Sequence, residues 1–350
     1  MEDEVFSIEK YHSILCSEVP DFLYEYISFP SLQRLNGIGL LCGTDWTPLF
    51  HNHFFYSRLD HSIGVALIVW NFTHDKKQTL AALFHDVSTP VFSHVVDFLN
   101  GDALTQESTE HLTSVFINED LALSQKLFMD GIYKYEIDDY HKYPVADNEI
   151  PGLSADRLEY MYPSGAALDK VWSIKEVKSN YKNIVLLKNE KNEPELGFRN
   201  LEEAVRYTKK FCEISLILQH NEDKISMQLL ADSLKCALEK KFIREEDLYT
   251  MSEKEMIFLL DKKMNEAPDE EFSKLYRTFR GMKEVIHSET PIENAYCISM
   301  NVKTRYVDPL VLVNENKEAL RCSSLSLEAL NVIKDFLSFS DTKYGAVKWL

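Results

Sequence analysis

The stretch RLDHSIGVALIVWNFTH, residues 58–74, is the strongest constraint on the fold because it is apolar on almost every face. A helix of this composition is typical of the buried core of a larger protein. The same stretch carries His61, whose two ring nitrogens must find partners away from water. The sequence therefore predicts a buried helix that holds an ionisable group in the core.

Further helices are predicted around this one. KKQTLAALFHD, residues 76–86, is a short helix that ends at an adjacent His and Asp. PVFSHVVDFLN, residues 90–100, is predicted to be the next helix, with a preceding Ser or Thr as cap and Pro90 at the first helical position. SADRLEYMY, residues 154–162, is a further helical stretch.

The middle of the chain contains one predicted hairpin. Residues 183–198 have apolar runs on both sides of a polar centre, which is the pattern of a β-hairpin. Two long helices are predicted over residues 201–220 and 224–241. The predicted fold class is mainly α, a helical bundle with a β-hairpin insertion.

The pattern changes near the C-terminus. AYCISMNVKTRYVDPLVLV is rich in β-branched and aromatic residues, and SLEALNVIKDFLSF is a final predicted helix. We therefore predict a core of residues 1–285 and a small C-terminal α+β module of residues 286–350.

Composition limits the classes of function. A net charge of −18 over 350 residues argues against a protein that coats duplex nucleic acid, since such proteins neutralise phosphates with basic residues. The stretch MEDEVFSIEK is acidic and lacks the basic and apolar segments expected of a signal peptide, and no apolar run approaches the roughly 20 residues that span a membrane. The six cysteines include no CxxC pair, which is typical of reduced thiols in the cytoplasm.

Four side chains on these elements could converge on one metal ion: His61, His85, Asp86 and Asp156. Two imidazoles and two carboxylates suit one divalent transition metal, namely Mn, Fe, Co, Ni or Zn, and are too rich in nitrogen for calcium. Neighbours on a helix point about 100° apart. At a helix end the backbone can bend, so that His85 and Asp86 both reach the ion.

Candidates for acid–base and phosphate chemistry lie close in sequence to these ligands. His94 and Asp97 are three apart and share a helix face, so the carboxylate can orient the imidazole. Arg58 is three residues before His61 and shares its face. A guanidinium beside a metal can bind phosphate.

Each residue also has an ordinary structural interpretation. A buried His is more often a hydrogen-bonded core residue than a ligand, an Asp at a helix start such as Asp156 is by default a cap, and Arg58 alone would be a solvated surface residue. The ordered combination favours a site: Arg-x-x-His, then His-Asp, then His-x-x-Asp, then an Asp about 70 residues later.

The segments RLDHSIGV, LFHDVSTPVFSHVVD, TQES and ADRLEYM resemble, in this order, signatures of the HD-domain phosphohydrolase superfamily. The closest resemblance is to its branch of deoxynucleoside triphosphate triphosphohydrolases, over about residues 25–260. This resemblance implies an HD-domain helical bundle and a nucleotide substrate. It also implies metal ligation by His61, His85, Asp86 and Asp156.

The same resemblance assigns roles to other residues. Arg58 would hold phosphate, His94 would be the general acid or a phosphate contact, and Asp97 would support it. Tyr160, one turn after Asp156, matches a Tyr that contacts substrate.

Four positions depart from the branch. Thr89 and Gln106 stand where its members carry His, although the neighbouring Glu107 is kept, and all three are candidate substrate-binding residues. Leu218 replaces a Tyr that packs on the sugar, and Ser164 replaces an Asp. The metal ligands are thus intact while the triphosphate and sugar contacts are reduced.

Two functions remain compatible with the sequence. The first is a metal-dependent phosphohydrolase that cleaves a nucleotide phosphoester or phosphoanhydride, and that forms a homo-oligomer in the cytoplasm. The second is a catalytically silent nucleotide sensor, which Thr89 and Gln106 favour. The complete ligand set, Arg58 and the His94–Asp97 pair favour the enzyme.

Three further histidines and two basic residues are weaker candidates for the site. His51 and His53 lie in a loop that could approach a nucleobase or simply be partly exposed, and His111 could replace the missing His. Lys303 and Arg305 are predicted to be solvated strand residues or a subunit contact rather than part of a nucleotide site.

Overall fold

The computed structural model describes residues 6–168, 170–314 and 318–350. Helices dominate. They are α1 (Ile8–Leu15), α2 (Asp21–Ile27), α3 (Pro30–Gln33), α4 (Arg58–Thr73), α5 (Lys76–Phe84), α6 (Val95–Leu99), α7 (Thr113–Glu119), α8 (Leu121–Met129), α9 (Ala155–Ala167), α10 (Ile174–Tyr181), α11 (Leu201–Ile217), α12 (Asn221–Glu239), α13 (Asp247–Thr250), α14 (Glu253–Glu266), α15 (Glu271–Gly281), α16 (Cys322–Leu325) and α17 (Leu327–Ser338).

Two small sheets accompany the helices. Their strands are β1 (Ile184–Lys188), β2 (Pro194–Phe198), β3 (Ile286–Ser288), β4 (Ala295–Ile298), β5 (Leu310–Leu312), β6 (Ala319–Arg321) and β7 (Tyr344–Lys348). The first sheet has the order β1-β2-β5-β6, with β2 and β5 parallel and the other pairs antiparallel. The second has the order β3-β7-β4 and is antiparallel.

The central helix α4 begins and ends at clear sequence signals. Ser57 and Asp60 form a capping box, in which each side chain accepts a hydrogen bond from the other residue's backbone N–H. The helix ends at His74, which adopts a left-handed conformation with φ of 50°. Its residues are buried on nearly every face, and it packs against α5 and α9. The prediction of a buried helix here is confirmed.

The chain between α5 and α6 passes from one hydrophobic core to another. Val87 belongs to a core built largely from α1, α4, α5, α9 and α11, whereas Val91 belongs to a second core built from α6, α12, α14 and α15. The predicted site residues around this connection therefore lie at the junction of the two cores.

The prediction of a helix from Pro90 is wrong, since α6 begins at Val95. Phe92 and Ser93 have φ values of 60° and 53°, which a right-handed helix cannot contain. The backbone N–H of Val91 donates to the carbonyl of Leu248, so long-range contacts impose this turn on the segment.

The predicted fold class is confirmed: the chain is mainly helical, with a hairpin at β1 and β2 and short strands near the C-terminus. Strand β5 pairs with hairpin strand β2, and α17 packs against α11. Residues on both sides of position 285 thus contribute to one sheet, and the division of the chain there stays a prediction. Within the described ranges, no helix combines the length and apolar character that crossing a membrane requires.

Candidate metal centre and cavity

Four predicted ligand atoms lie together at the junction of the cores. The Nε2 atom of His61 lies 3.2 Å from His85 Nε2 and 3.1 Å from Asp156 Oδ1. The Oδ2 atom of Asp86 lies 3.6 Å from His85 Nε2 and 3.8 Å from His61 Nε2. Ligands held about 2.0–2.2 Å from one ion stand about 3.0–3.6 Å apart. Three of these four distances match that spacing, and the fourth, between Asp86 and His61, is 3.8 Å. His61, His85 and Asp86 lie within 4.8 Å of one another, and Asp156 joins them through His61, so the group can hold a divalent cation.

The ends of helices place these side chains. His85 is the C-cap residue of α5, and Asp86 follows in the turn, so two neighbours in sequence reach the same point. Asp156 is in the first turn of α9, but the N-cap of that helix is Ser154, whose side chain accepts from the N–H of Arg157. Asp156 is thus not the cap and is available to the cluster.

Hydrogen bonds orient both imidazoles. His85 Nδ1 donates to the carbonyl of Ala82 at 2.7 Å, and His61 Nδ1 donates to Glu159 Oε2 at 2.5 Å. In each ring this leaves Nε2 free to face the cluster. A carboxylate behind a histidine is a common support for metal ligands because it fixes the tautomer and raises basicity.

Glu159 was not predicted from the sequence. It is fully buried, and its second oxygen accepts from the Tyr56 hydroxyl at 2.6 Å. A Cβ on Gly64 would clash with Glu159 Oε1, so the glycine in α4 leaves the space that this carboxylate occupies. The sequence offers one indication of this role, because Glu159 lies three residues after Asp156 and therefore shares its helix face.

The charges in the cluster favour a cation. Burial opposes ionisation of Asp86, but Arg58, His85 and His61 outweigh it and hold the Asp86 pKa far below its usual range. Burial likewise opposes ionisation of Asp156, and its contact with His61 lowers that pKa to about 2. Both carboxylates are ionised at neutral pH, and with Glu159 they surround the two imidazoles.

Arg58 is buried, not solvated. Its Nη1 donates to Asp86 Oδ2 at 2.8 Å, and its Nε donates to Ser93 Oγ at 3.0 Å. The Ser93 hydroxyl in turn donates to the carbonyl of Gly39. The left-handed turn before α6 thus holds the guanidinium beside the cluster.

The predicted pair of His94 and Asp97 is formed. His94, just before α6, donates from Nδ1 to Asp97 Oδ2 at 2.9 Å. The other Asp97 oxygen accepts from the N–H and the hydroxyl of Ser108. Burial lowers the His94 pKa, and the hydrogen bond to Asp97 partly opposes that effect.

These residues open into a cavity of about 620 Å³. Its walls include the predicted residues Arg58, His61, His85, Asp86, His94, Gln106, Glu107, Asp156 and Tyr160. Apolar side chains from both cores line another part of it, including Leu40, Met227 and Val302, and Leu218 lines it as well. A cavity of this size and mixed polarity can hold a small organic molecule.

Four of the candidate residues lie outside the cavity lining. Thr89 does not line the cavity; its hydroxyl donates to Asp86 Oδ1 at 3.0 Å and so helps to fix that carboxylate. His51, His53 and His111 are also outside the lining.

The prediction that Lys303 and Arg305 are solvated strand residues is wrong, while a subunit contact stays a prediction. Residues 299–309 form no strand, and both side chains are half-buried on the cavity wall. The β-branched pattern in this segment reflects burial of Val302 and Val307 rather than strand pairing.

Comparisons with known proteins agree with this fold. The chain is 25% identical over 305 residues to the uncharacterized protein YdhJ of Bacillus subtilis, covering 84% of this chain and 85% of that protein. It is 26% identical over 182 residues to the metal-dependent phosphohydrolase cns2 of Cordyceps militaris, covering 49% of this chain and 46% of that protein. No family model matches the chain.

Two solved structures have a similar fold. A phosphohydrolase from Bacteroides thetaiotaomicron has a TM-score of 0.62 at 15% identity, with 95% of this chain and 97% of that chain covered. A hypothetical protein from Aquifex aeolicus also has a TM-score of 0.62, at 16% identity, with 95% and 93% covered. At these identities the likeness shows the fold alone.

We expect Glu159→Gln to weaken metal binding about 10- to 100-fold, because the amide no longer holds His61 as a carboxylate does. Metal titration of the purified variant measures this loss. Glu203→Gln is a matched control, since Glu203 is a largely buried carboxylate bonded to Asn180 outside the cavity. Equal metal affinity of Glu159→Gln and wild type would contradict a supporting role.

We expect metal affinity to rise with pH, by about tenfold per unit, with release of one proton. Burial lowers the pKa of His61, but Glu159 and Asp156 raise it to about 10, so a cation must displace a proton there.

Without metal, the protonated His61 stabilises the fold fully below its unfolded pKa of about 6.5. That stabilisation is lost as pH rises to about 10.

Calorimetric titration at pH 6.5 and 8.5, in two buffers of different ionisation enthalpy, measures both the affinity and the proton release. A metal affinity that does not change with pH would show that His61 is not a ligand.

Proposed function

We propose that this protein is a metal-dependent phosphohydrolase of the HD type that acts on a nucleotide. The observation that carries the proposal is the convergence of four ligand side chains on the wall of a cavity of about 620 Å³. There His61 Nε2 and His85 Nε2 each lie 3.1 to 3.8 Å from an oxygen of Asp86 and from one of Asp156. The order of the sequence motifs and the name of the relative from Cordyceps militaris add support.

His61, His85, Asp86 and Asp156 would hold one divalent cation, and Mn, Fe, Co, Ni and Zn fit this donor set. When bound, such a cation supplies Lewis-acid catalysis and lowers the pKa of water towards neutrality.

Residues of the chain perform the remaining tasks. Arg58 pairs with Asp86, and its guanidinium lies where it would also face a bound phosphoryl group. His94, fixed through Nδ1 by Asp97, can carry a proton on Nε2. An anionic substrate raises the His94 pKa towards neutrality and so favours this protonated form.

In the proposed hydrolysis, the oxygen of water forms a bond to phosphorus, and the bond from phosphorus to the leaving oxygen breaks. The leaving oxygen takes the proton of His94, and the proton of the attacking water passes to solvent. General acid catalysis of this kind is typically worth about 10²- to 10⁴-fold.

The nucleotide assignment rests on the shape and chemistry of the cavity. Its apolar wall, which includes Leu40 and Met227, suits a base or sugar, and the metal cluster suits a phosphate. Leu218 lines the cavity and offers no hydroxyl to a sugar. We therefore propose a (deoxy)nucleoside phosphate with weak discrimination between the two sugars.

A substrate screen tests the proposal and separates it from a sensor. Protein reconstituted with each of Mn, Fe, Co, Ni and Zn is incubated with nucleoside mono-, di- and triphosphates, and phosphate, pyrophosphate and triphosphate are resolved. Release of one of these products supports the enzyme. Tight nucleotide binding without any product, with all five metals, would overturn it in favour of the sensor.

A further inference from the structure

We propose that Arg305 and Lys303 form an anion-binding subsite in the same cavity, which takes a second anionic group on the leaving side of the substrate. The inference rests on the proposed function for its role in catalysis. The substrate class is then a phosphoester or phosphoanhydride whose leaving group is itself anionic, as in a nucleoside polyphosphate.

Arg305 is half-buried, and its hydrogen-bond partner among the described residues is neutral. Its Nη2 donates to the side-chain oxygen of Gln106 at 2.6 Å. In the part of the chain that the structure describes, no carboxylate lies within ion-pair distance of it. A partly desolvated guanidinium without a counter-charge favours binding of an anion, and its planar fork of donors matches phosphate and carboxylate geometry.

The backbone of this segment is held in place. The N–H of Lys303 donates to the carbonyl of Ala103, and the carbonyl of Lys303 accepts from the Gln219 side chain at 3.0 Å. Lys303 Nζ lies 3.1 Å from Glu107, whose side chain is half exposed. The two cations are therefore presented by an anchored segment, which lowers the entropic cost of binding an anion.

Opposing carboxylates only partly cancel this positive charge. Asp223 also lines the cavity, but burial raises its pKa to about 7 in spite of the Arg305 charge, so it is largely neutral below that pH. Glu107 pairs with Lys303 and leaves Arg305 uncompensated. In a protein of net charge −18, a local positive wall is needed to attract a multiply charged anion.

The position of Arg305 points to the leaving side. Its partner Gln106 lies two residues before Ser108, which donates to Asp97, and Asp97 in turn holds His94. Arg305 and His94 line the same cavity, so the positive charge of Arg305 adds to the effect of burial and opposes protonation of the proposed acid. An anion bound at Arg305 would offset this charge and so favour protonation of His94. Binding of the second anionic group would thus prepare the acid as well as hold the substrate.

A matched pair of inert ligands tests the subsite. Methylphosphonate has one phosphoryl group and methylenediphosphonate has two, and neither is hydrolysed, so binding is measured independently of turnover. Calorimetry with the manganese-loaded protein, with manganese in the buffer, compares wild type, Arg305→Gln and Arg305→Lys. Arg244→Gln is the control, because it removes one exposed cation far from the cavity lining.

We expect Arg305→Gln to weaken methylenediphosphonate binding about 10- to 100-fold and to leave methylphosphonate binding within about twofold. Arg305→Lys should recover part of the loss, and Arg244→Gln should match wild type. Equal effects of Arg305→Gln on both ligands, or no effect on either, would overturn the subsite. If Arg305 selects the two-phosphoryl ligand but wild type hydrolyses no nucleotide, the subsite stands and the proposed enzyme function fails.

Discussion

Replacing His94 by Gln is expected to lower kcat about 10²- to 10⁴-fold on alkyl phosphoesters, with KM little changed. Gln has similar reach and can donate a hydrogen bond, but it cannot deliver a proton near neutral pH. His94 is not one of the four proposed ligands and pairs with Asp97 instead, so metal binding should be retained. Steady-state kinetics with parallel calorimetry of substrate binding measures the effect.

Two comparisons make the His94 result specific. An aryl phosphate has an acidic leaving group that needs no proton, so its hydrolysis should be much less sensitive to His94→Gln. His111→Gln, outside the cavity lining, should have no effect. Wild-type activity of His94→Gln on alkyl phosphoesters would place the acid elsewhere.

Replacing Asp86 by Asn is expected to abolish stoichiometric metal binding and phosphate release together. The amide removes a charged ligand and leaves Arg58 without its counter-ion, since Asp86 Oδ2 accepts from Arg58 Nη1 at 2.8 Å. Breaking a buried ion pair costs about 3–5 kcal/mol, so the variant should also unfold at a lower temperature. Elemental analysis and thermal unfolding measure the two effects.

Asp147→Asn is the matched control for Asp86→Asn. Asp147 also lines the cavity and pairs with a buried arginine, Arg157, at 3.0 Å, but it is not part of the four-residue cluster. It should lose stability without losing metal. Retention of one metal per chain by Asp86→Asn would refute the assignment of this ligand.

His85→Ala provides a second test of the metal site, because His85 Nε2 lies 3.2 Å from His61 Nε2.

The core of the site could be predicted because its signals are local. The apolar helix containing His61, the short helix ending at His85 and the Asp opening α9 are each visible as hydrophobic patterns or helix boundaries. The structure brings His61 Nε2 within 3.2 Å of His85 Nε2 and within 3.1 Å of Asp156 Oδ1. The His94–Asp97 contact also follows from short spacing.

The parts that sequence reasoning missed depend on long-range contacts. The turn before α6 is fixed by Leu248 and by the bond between Arg58 and Ser93, neither of which leaves a local pattern. Arg305 reaches the cavity from a segment almost 200 positions after Gln106, and nothing in its neighbourhood marks that approach. The role of Glu159 was missed for a different reason, because an acidic residue within a helix is ordinarily exposed.

Titration of the metal-free protein with a divalent cation, with nucleotide hydrolysis followed at each step, tests the central claim most directly. If the cluster of His61, His85, Asp86 and Asp156 binds the one cation on which hydrolysis depends, phosphate or polyphosphate release should rise in proportion to added metal and stop rising at one equivalent per chain. Full metal binding without any product, or hydrolysis that is the same before and after metal is added, would contradict it.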